Sequence, residues 1–108
     1  MKSRIKQAIN HQISSGSADF QSVKSQSKCV GIQINYVGLD REDATVSVQQ
    51  SNDDKQFNVI SNASKALQTT LPSHTFTVVD VCSDEMRVTL DIGTATTGSI
   101  TDIFWLFE

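Results

Sequence analysis

The 108-residue sequence is poor in the residue types on which most catalytic and metal sites depend. It has two histidines and two cysteines, and Cys29 and Cys82 form none of the CxxC or Cys/His spacings of a zinc site. A nucleophilic triad needs a histidine near a nucleophile and an acid, whereas His11 and His74 lie in a polar N-terminal segment and in a turn. We predict that both histidines are exposed polar residues, and that the protein has no enzyme activity, no metal and no cofactor.

Glycine and long apolar runs are also scarce. The five glycines never take the GxxxxGK or GxGxxG spacing that cradles phosphates, so no nucleotide site is expected. No run approaches the roughly 18 apolar residues that span a bilayer, and residues 1–13 lack the apolar centre of a secretory signal. We expect a protein made in a cytosol, without membrane contact and with both cysteines as free thiols.

Charge is unevenly distributed along the chain. Residues 1–28 carry five basic residues and one acid, while residues 29–108 carry four basic residues and eleven acids. A basic leader on an acidic body indicates either an arm that meets another surface or a solvated tail. The basic residues of the body are too few and too scattered for a nucleic-acid groove. The acids cluster in turns and lack the alternate spacing of a calcium loop, so we interpret them as solvated turns.

The first residues have the spacing of a short helix. Ile5, Ala8, Ile9 and Ile13 recur at intervals of three and four, and the stretch SSGS that follows breaks any helix. The chain is therefore divided into a basic arm, residues 1–14, and a body, residues 15–108. We expect the arm to be mobile alone and to become ordered against a partner. The arm residues assigned to that interface are Lys2, Arg4, Ile5, Lys6 and Ile9.

The body changes to a period of two. Segments such as CVGIQINYV, ATVSVQQ and EMRVTLDI alternate apolar and polar residues, and turn signals recur at roughly ten-residue intervals. SNASKALQTTL is the one irregular connection, suited to a helical turn or a crossing loop. The sequence predicts an all-β fold, a single antiparallel β-sandwich of about seven or eight strands, either jelly-roll-like or Ig-like.

The last strand is apolar without alternation from Ile103 to Phe107. Such a strand is either central and covered on both faces, or it presents one face to another subunit. We favour the interface: Phe104 and Leu106 continue the register of Ile100 into the core. Ile103, Trp105 and Phe107 then form an outer patch that a partner covers.

The order of four motifs resembles small β-sandwich virion proteins of tailed bacteriophages, among them capsid-decorating, head-fibre and tail-associated modules. The motifs are GIQINYVG, ATVSVQQSNDDKQFNVI, HTFTVVDVCSDEMRVTLDI and TATTGSITDIFWLF. The resemblance implies a structural protein of the virion, made in the bacterial cytoplasm, that binds a repeated site and contacts copies of itself or other virion proteins. It also implies that Ser51, Asn52 and Asp53 hold a corner from which Phe57 returns to the core.

A carbohydrate- or surface-binding adhesion module is the alternative. Such modules need exposed aromatic rings beside polar side chains, and Tyr36 and Trp105 are the candidates. The position of Trp105 and Phe107 distinguishes the two hypotheses. Contact with another chain favours assembly, whereas exposure in a groove beside Asn or Asp favours a glycan.

Overall fold

The computed structural model describes residues 3–25, 28–53, 55–81 and 84–108. Within these ranges, one 3-10 helix, Ile13–Ser15, accompanies nine β-strands. The strands are β1 (Ser3–Gln12), β2 (Ala18–Asp19), β3 (Val23–Lys24), β4 (Cys29–Val37), β5 (Thr45–Ser51), β6 (Asn58–Ala66), β7 (Ser73–Val81), β8 (Glu85–Asp91) and β9 (Ser99–Phe107). None of the helical structure described has the length and hydropathy to cross a membrane.

The strands pair in a nested, antiparallel order. β1 pairs with β9, β2 and β3 with β8, β4 with β7, and β5 with β6. Two further pairings, β4 with β9 and β5 with β8, join these pairs into two sheets. The four-stranded sheet has the order β1-β9-β4-β7, and in the other sheet β2 and β3 both lie beside β8, followed by β5 and β6. The predicted antiparallel sandwich is confirmed, and the nested order is that of a jelly roll.

The core lies between the sheets and follows the two-residue period. Ile32, Ile34 and Tyr36 of β4 are buried, while the residues between them face outward. β5 and β8 supply the facing layer with Val46, Val48, Met86, Val88 and Leu90. Each fully buried aliphatic side chain stabilises the fold by about 1.5–3 kcal/mol. The alternation seen in the sequence is therefore the pattern that builds this core.

The predicted helix over residues 1–13 is wrong, because residues 3–12 form strand β1 at the edge of the four-stranded sheet. Ile5, Ile9 and Ile13 lie four residues apart, and that interval places side chains on one face of a strand as well as of a helix. Ala8 distinguishes the two, since it is exposed. The first residues thus join the sandwich instead of forming an arm apart from it, and Lys2 lies outside the described residues.

The predicted outer patch on β9 is also wrong. Ile103, Trp105 and Phe107 are fully buried, whereas Phe104 and Leu106 lie half-buried on the outer face. The cause is a β-bulge: β9 has an extra residue between the partners of Asn35 and Tyr36 on β4. A bulge shifts the alternation by one residue, so Ile100 and Ile103 both point inward.

The segment SNASKALQTTL, predicted to be an irregular connection, belongs mainly to β6. Its pairing with β5 is broken between Ser47 and Gln49, whose partners are Ser64 and Val59. With the extra residues in β6, Ile60 and Ala63 are both buried at an interval of three, and the buried Leu67, directly after the strand, follows at an interval of four. These intervals are also those of a helix. The β-bulge therefore conceals the strand from a period-two search.

Candidate functional site

The outer face of the four-stranded sheet displays side chains in rows that cross the strands. Two neighbouring rows form its centre. Read from β1 towards β7, the first row consists of Arg4, Leu106 and Gly31, and the second row consists of Lys6, Phe104, Gln33 and Thr75. Adjacent strands lie about 4.8 Å apart, so β1 and β7 are separated by roughly 14 Å. These rows place cations at one end, apolar groups in the middle and uncharged polar groups at the other end.

A groove of about 320 Å³ runs along this face. Gly31 has no side chain, so the sheet surface falls to the backbone beside Leu106 and Phe104. Arg4, Gln33 and Thr75 also line the groove. Its volume lies near the lower end of the roughly 300–1,000 Å³ typical of small-ligand sites. The groove combines an apolar floor with a few polar groups, which is the usual composition of such a site.

Two cations of β1 lie near the ring of Phe104. The Arg4 guanidinium carbon and the Lys6 Nζ atom are each 5.9 Å from the centre of the Phe104 ring. Lys6 also lies 3.9 Å from Asp102 Oδ1, while Arg4 makes no ion pair within the described part of the chain. Arg4 is exposed and Phe104 half-buried. The ring therefore lies near an exposed guanidinium whose hydrogen-bond donors are accessible to solvent.

The opposite wall is uncharged. Gln33 Nε2 donates a hydrogen bond to Asn35 Oδ1 over 2.9 Å, which orients the amide and leaves Gln33 Oε1 available as an acceptor. Thr75 is exposed on the neighbouring strand, and its hydroxyl has no partner within the described ranges. Amide and hydroxyl groups can both donate and accept hydrogen bonds. This wall suits a ligand with hydroxyl groups.

The outer face of the five-stranded sheet carries similar residue types in a closed arrangement. The Arg87 guanidinium carbon lies 4.0 Å from the centre of the Phe57 ring, and Arg87 Nε donates to Gln49 Oε1 over 2.8 Å. Asp19 Oδ2 lies 3.7 Å from Arg87 Nη2. Phe57 is half-buried beneath this arginine, so the prediction that it returns to the core is wrong. Its ring is already covered by its own chain.

The corner after β5 is held by its own side chains. Asp53 Oδ1 accepts hydrogen bonds from the backbone N–H groups of Lys55 and Gln56 over 3.0 and 2.8 Å, and the Ser51 hydroxyl donates to it over 3.1 Å. Asn52 Oδ1 accepts from the backbone N–H of Asp84 over 2.9 Å. These bonds lower the pKa of Asp53, with the Gln56 N–H as the largest cause. The described polar side chains of this corner therefore have a structural role.

The acids of the turn after β4 are likewise occupied. Asp40 accepts hydrogen bonds from the hydroxyl and N–H of Thr96 over 2.6 and 2.9 Å, and Asp43 accepts from the same groups of Thr94 over 2.6 and 2.9 Å. The Thr96 hydroxyl is the main reason that the pKa of Asp40 falls to about 2. Nowhere in the ranges described do three or more His, Cys, Asp or Glu side chains come together as a metal site.

Within the described residues, no histidine or cysteine lines the groove, although Cys29 Sγ lies 3.8 Å from the carbonyl oxygen of the lining residue Gly31. His11 is half-buried, not exposed as predicted, and its Nε2 lies 2.7 Å from the Gly16 carbonyl oxygen. His74 is also half-buried, and burial lowers its pKa. Cys29 is a buried free thiol whose pKa burial raises to about 11. Cys82 lies outside the described residues.

The structure divides the predicted interface between two faces. Arg4 and Lys6 lie on the outer face beside the groove, whereas Ile5 and Ile9 pack against the core. The sequence reasoning did not assign Phe104, Leu106, Gly31, Gln33 or Thr75 to a site. One signal was present: the alternation of β4 already placed Gly31 and Gln33 on a wet face. The sequence pattern predicted Phe104 and Leu106 in the core, because the β-bulge that turns them to the outer face depends on pairing with β4.

Comparison with known proteins gives information on the fold. The chain matches no protein-family model and no curated protein. A crystal structure of PirA is similar, with a TM-score of 0.56 and 14% sequence identity over 96% of this chain and 92% of that chain. Since unrelated functions share one fold, a likeness at this identity supports the sandwich architecture alone.

Proposed function

We propose that this protein is a non-enzymatic binding module that attaches to a glycan through the outer face of its four-stranded sheet. The observation that carries the proposal is the groove in which Phe104 lies half-exposed between Arg4 and Gln33. An aromatic ring offers an apolar platform for the C–H face of a sugar, and the flanking polar groups hydrogen-bond its hydroxyls.

The composition of the groove favours binding over catalysis. Its described lining includes an arginine, a glutamine and a threonine, but no Asp, Glu, His or Cys. Proton transfer in catalysis needs a group that titrates near the working pH, and an arginine does not. The same lining is sufficient for recognition, which needs shape, an apolar surface and hydrogen-bond partners.

A glycan array tests this function. We expect the intact protein to bind a subset of glycans and Phe104→Ala to weaken that binding about tenfold, the effect of losing one central contact residue. Phe57→Ala is the matched control, since it removes an aromatic ring from the other outer face. The proposal fails if the intact protein binds no glycan, or if Phe57→Ala weakens binding and Phe104→Ala does not.

Attachment to a phage particle remains the second candidate. The jelly-roll order favours it to the extent that capsid proteins and lectins share this topology. The predicted apolar patch of Ile103, Trp105 and Phe107 does not support it, since these residues form the core. Burial likewise excludes Tyr36 and Trp105, the two rings predicted for glycan binding, so the glycan proposal depends on Phe104 instead. Light scattering of the isolated chain is the test: a defined oligomer favours assembly, and a monomer at high concentration contradicts self-association.

A further inference from the structure

We infer that the groove selects a saccharide that carries a carboxylate, such as a hexuronic or sialic acid, and that Arg4 binds this carboxylate. The inference rests on the proposed glycan-binding function and specifies its ligand. It is carried by charge complementarity: Arg4, which makes no ion pair within the described residues, stands at the rim of a groove whose other described polar groups are uncharged.

The ion pairing of the two cations differs, and this singles out Arg4. Lys6 has Asp102 Oδ1 at 3.9 Å, so its charge is partly balanced by its own chain. Arg4 contacts the face of Phe104 and makes no ion pair within the described ranges. Among the acids whose side chains are described, Asp102 and Glu108 lie nearest in sequence to the groove: Asp102 comes two residues before Phe104, and Glu108 comes two residues after Leu106. Neither forms an ion pair with Arg4.

The chemistry of the guanidinium favours a carboxylate over a neutral group. Its planar fork of N–H donors matches two coplanar oxygens in a bidentate hydrogen bond. The Arg4 guanidinium carbon lies 5.9 Å from the centre of the Phe104 ring, and the exposed guanidinium forms no ion pair within the described residues, so its N–H donors are accessible to a ligand. A sugar ring that lies on Phe104 would place a ring substituent beside Arg4. Its hydroxyl groups on the far side would meet Gln33 and Thr75.

The dimensions of the face agree with a short oligosaccharide. From β1 to β7 the two rows cover roughly 14 Å. The polar groups at the two ends differ in kind, because a cation stands on β1 and uncharged donors and acceptors stand on β4 and β7. A ligand with one charged end and one hydroxyl-rich end therefore has a defined direction in the groove.

The experiment is a glycan array in which each carboxylate-bearing saccharide is printed beside its carboxyl-reduced alcohol and beside a sulfated analogue. Exposed charge pairs contribute up to about 1 kcal/mol, so we expect each acid to bind about fivefold more tightly than its reduced form. Arg4→Gln should abolish that preference while binding to the reduced glycans changes less than about twofold. Arg41→Gln, an exposed arginine in a loop, is the matched control and should keep the preference.

Each outcome of the array is informative. Equal binding of acids and reduced glycans by the intact protein overturns the inference and leaves the proposed function standing. Absence of binding to every glycan overturns both. Tighter binding of the sulfated analogues overturns the assignment of a carboxylate. A preference that survives Arg4→Gln shows that Arg4 does not recognise the charge. Thermal unfolding of both variants confirms that they are folded.

Discussion

The outer faces of the two sheets carry the same kinds of side chain and differ in whether those side chains have partners. On the five-stranded sheet, Arg87 covers Phe57 and bonds to Gln49, so the aromatic ring, the cation and the amide serve one another. On the four-stranded sheet, Arg4 and Gln33 stand on opposite sides of Phe104 across an open groove. The two faces therefore have similar compositions and differ in pairing: within the described residues, the arginine of one face is bonded to its own chain and the arginine of the other makes no ion pair. This difference in pairing, and not composition, is the basis for proposing that the four-stranded sheet binds a ligand.

The largest effect should come from the core beneath the open face. Trp105→Ala is expected to lower the free energy of unfolding by about 3–5 kcal/mol, because it removes a fully buried aromatic side chain. Leu106→Ala, its half-buried neighbour on the outer face, should cost about 1 kcal/mol. Urea denaturation measures both. If Leu106→Ala lowered the free energy of unfolding as much as Trp105→Ala or more, then Leu106, and not Trp105, would face the core.

A polar contact of the same tryptophan gives the next effect. Trp105 Nε1 donates to Gln7 Oε1 over 2.7 Å, and Gln7 Nε2 donates to the Gln21 carbonyl oxygen over 2.8 Å. Gln7→Leu leaves a buried indole N–H without an acceptor, which should cost about 1–3 kcal/mol. Gln33→Leu on the open face is the control and should stay within about 0.5 kcal/mol. An unchanged stability of Gln7→Leu in urea denaturation would argue that β1 is not docked on β9.

The two arginines test the comparison directly. Arg87→Ala removes the contact with Phe57 and the hydrogen bond to Gln49, so a loss of about 1–2 kcal/mol is expected. Arg4→Ala should change stability by less than about 0.5 kcal/mol, because its only described contact is the exposed face of Phe104. Chemical denaturation of both variants checks the contrast. If the two costs were alike, the open and closed faces would not differ energetically.

The smallest effect concerns the loops. There the Asp40 carboxylate accepts hydrogen bonds from Thr96, so, like Arg87, it is already bonded within its own chain. The pKa of Asp40 falls from 3.8 to about 2 on folding, chiefly through the Thr96 hydroxyl. A lowered folded-state pKa means that its stabilisation is complete above the unfolded value and is lost as the pH falls through the folded value. Asp40→Asn should therefore reduce the loss of stability between pH 4 and pH 2, the window that the two pKa values of 3.8 and about 2 define.

Thermal unfolding across that pH range measures the effect. Glu108→Gln is the control, since its side chain makes no hydrogen bond within the described part of the chain. Asp43 and Asp53 also have lowered pKa values, so the Asp40 variant should keep part of the acid sensitivity. An acid profile identical to that of the intact protein would contradict the role of Asp40 in holding the loop.

Much of the fold could be predicted because alternation along β4, β5 and β8 records burial directly. In a strand, successive side chains face opposite sides, so a regular apolar period identifies the core face without knowledge of the partners. In the segment CVGIQINYV this rule alone predicts that Gly31 and Gln33, which alternate with Ile32 and Ile34, lie on the wet face of β4. Arg4 and Lys6 were singled out by their charge, although the helix assumed for them was wrong.

The other features of the fold and of the groove depend on pairing between strands that are distant in the sequence. A single extra residue in β9 reversed the faces of Trp105 and Phe104, and such a bulge depends on pairing with β4, which lies far away in the sequence. The apolar spacing of β1 fits both a helix and a strand, and it is the pairing with β9 that identifies a strand. The sequence by itself determined an all-β sandwich, the absence of a phosphate-loop motif and the polar corners, because these follow from local residue patterns. Only the tertiary structure decided which aromatic side chains are core, and which cation stands beside a groove without an ion pair among the described residues, because both follow from contacts between distant strands.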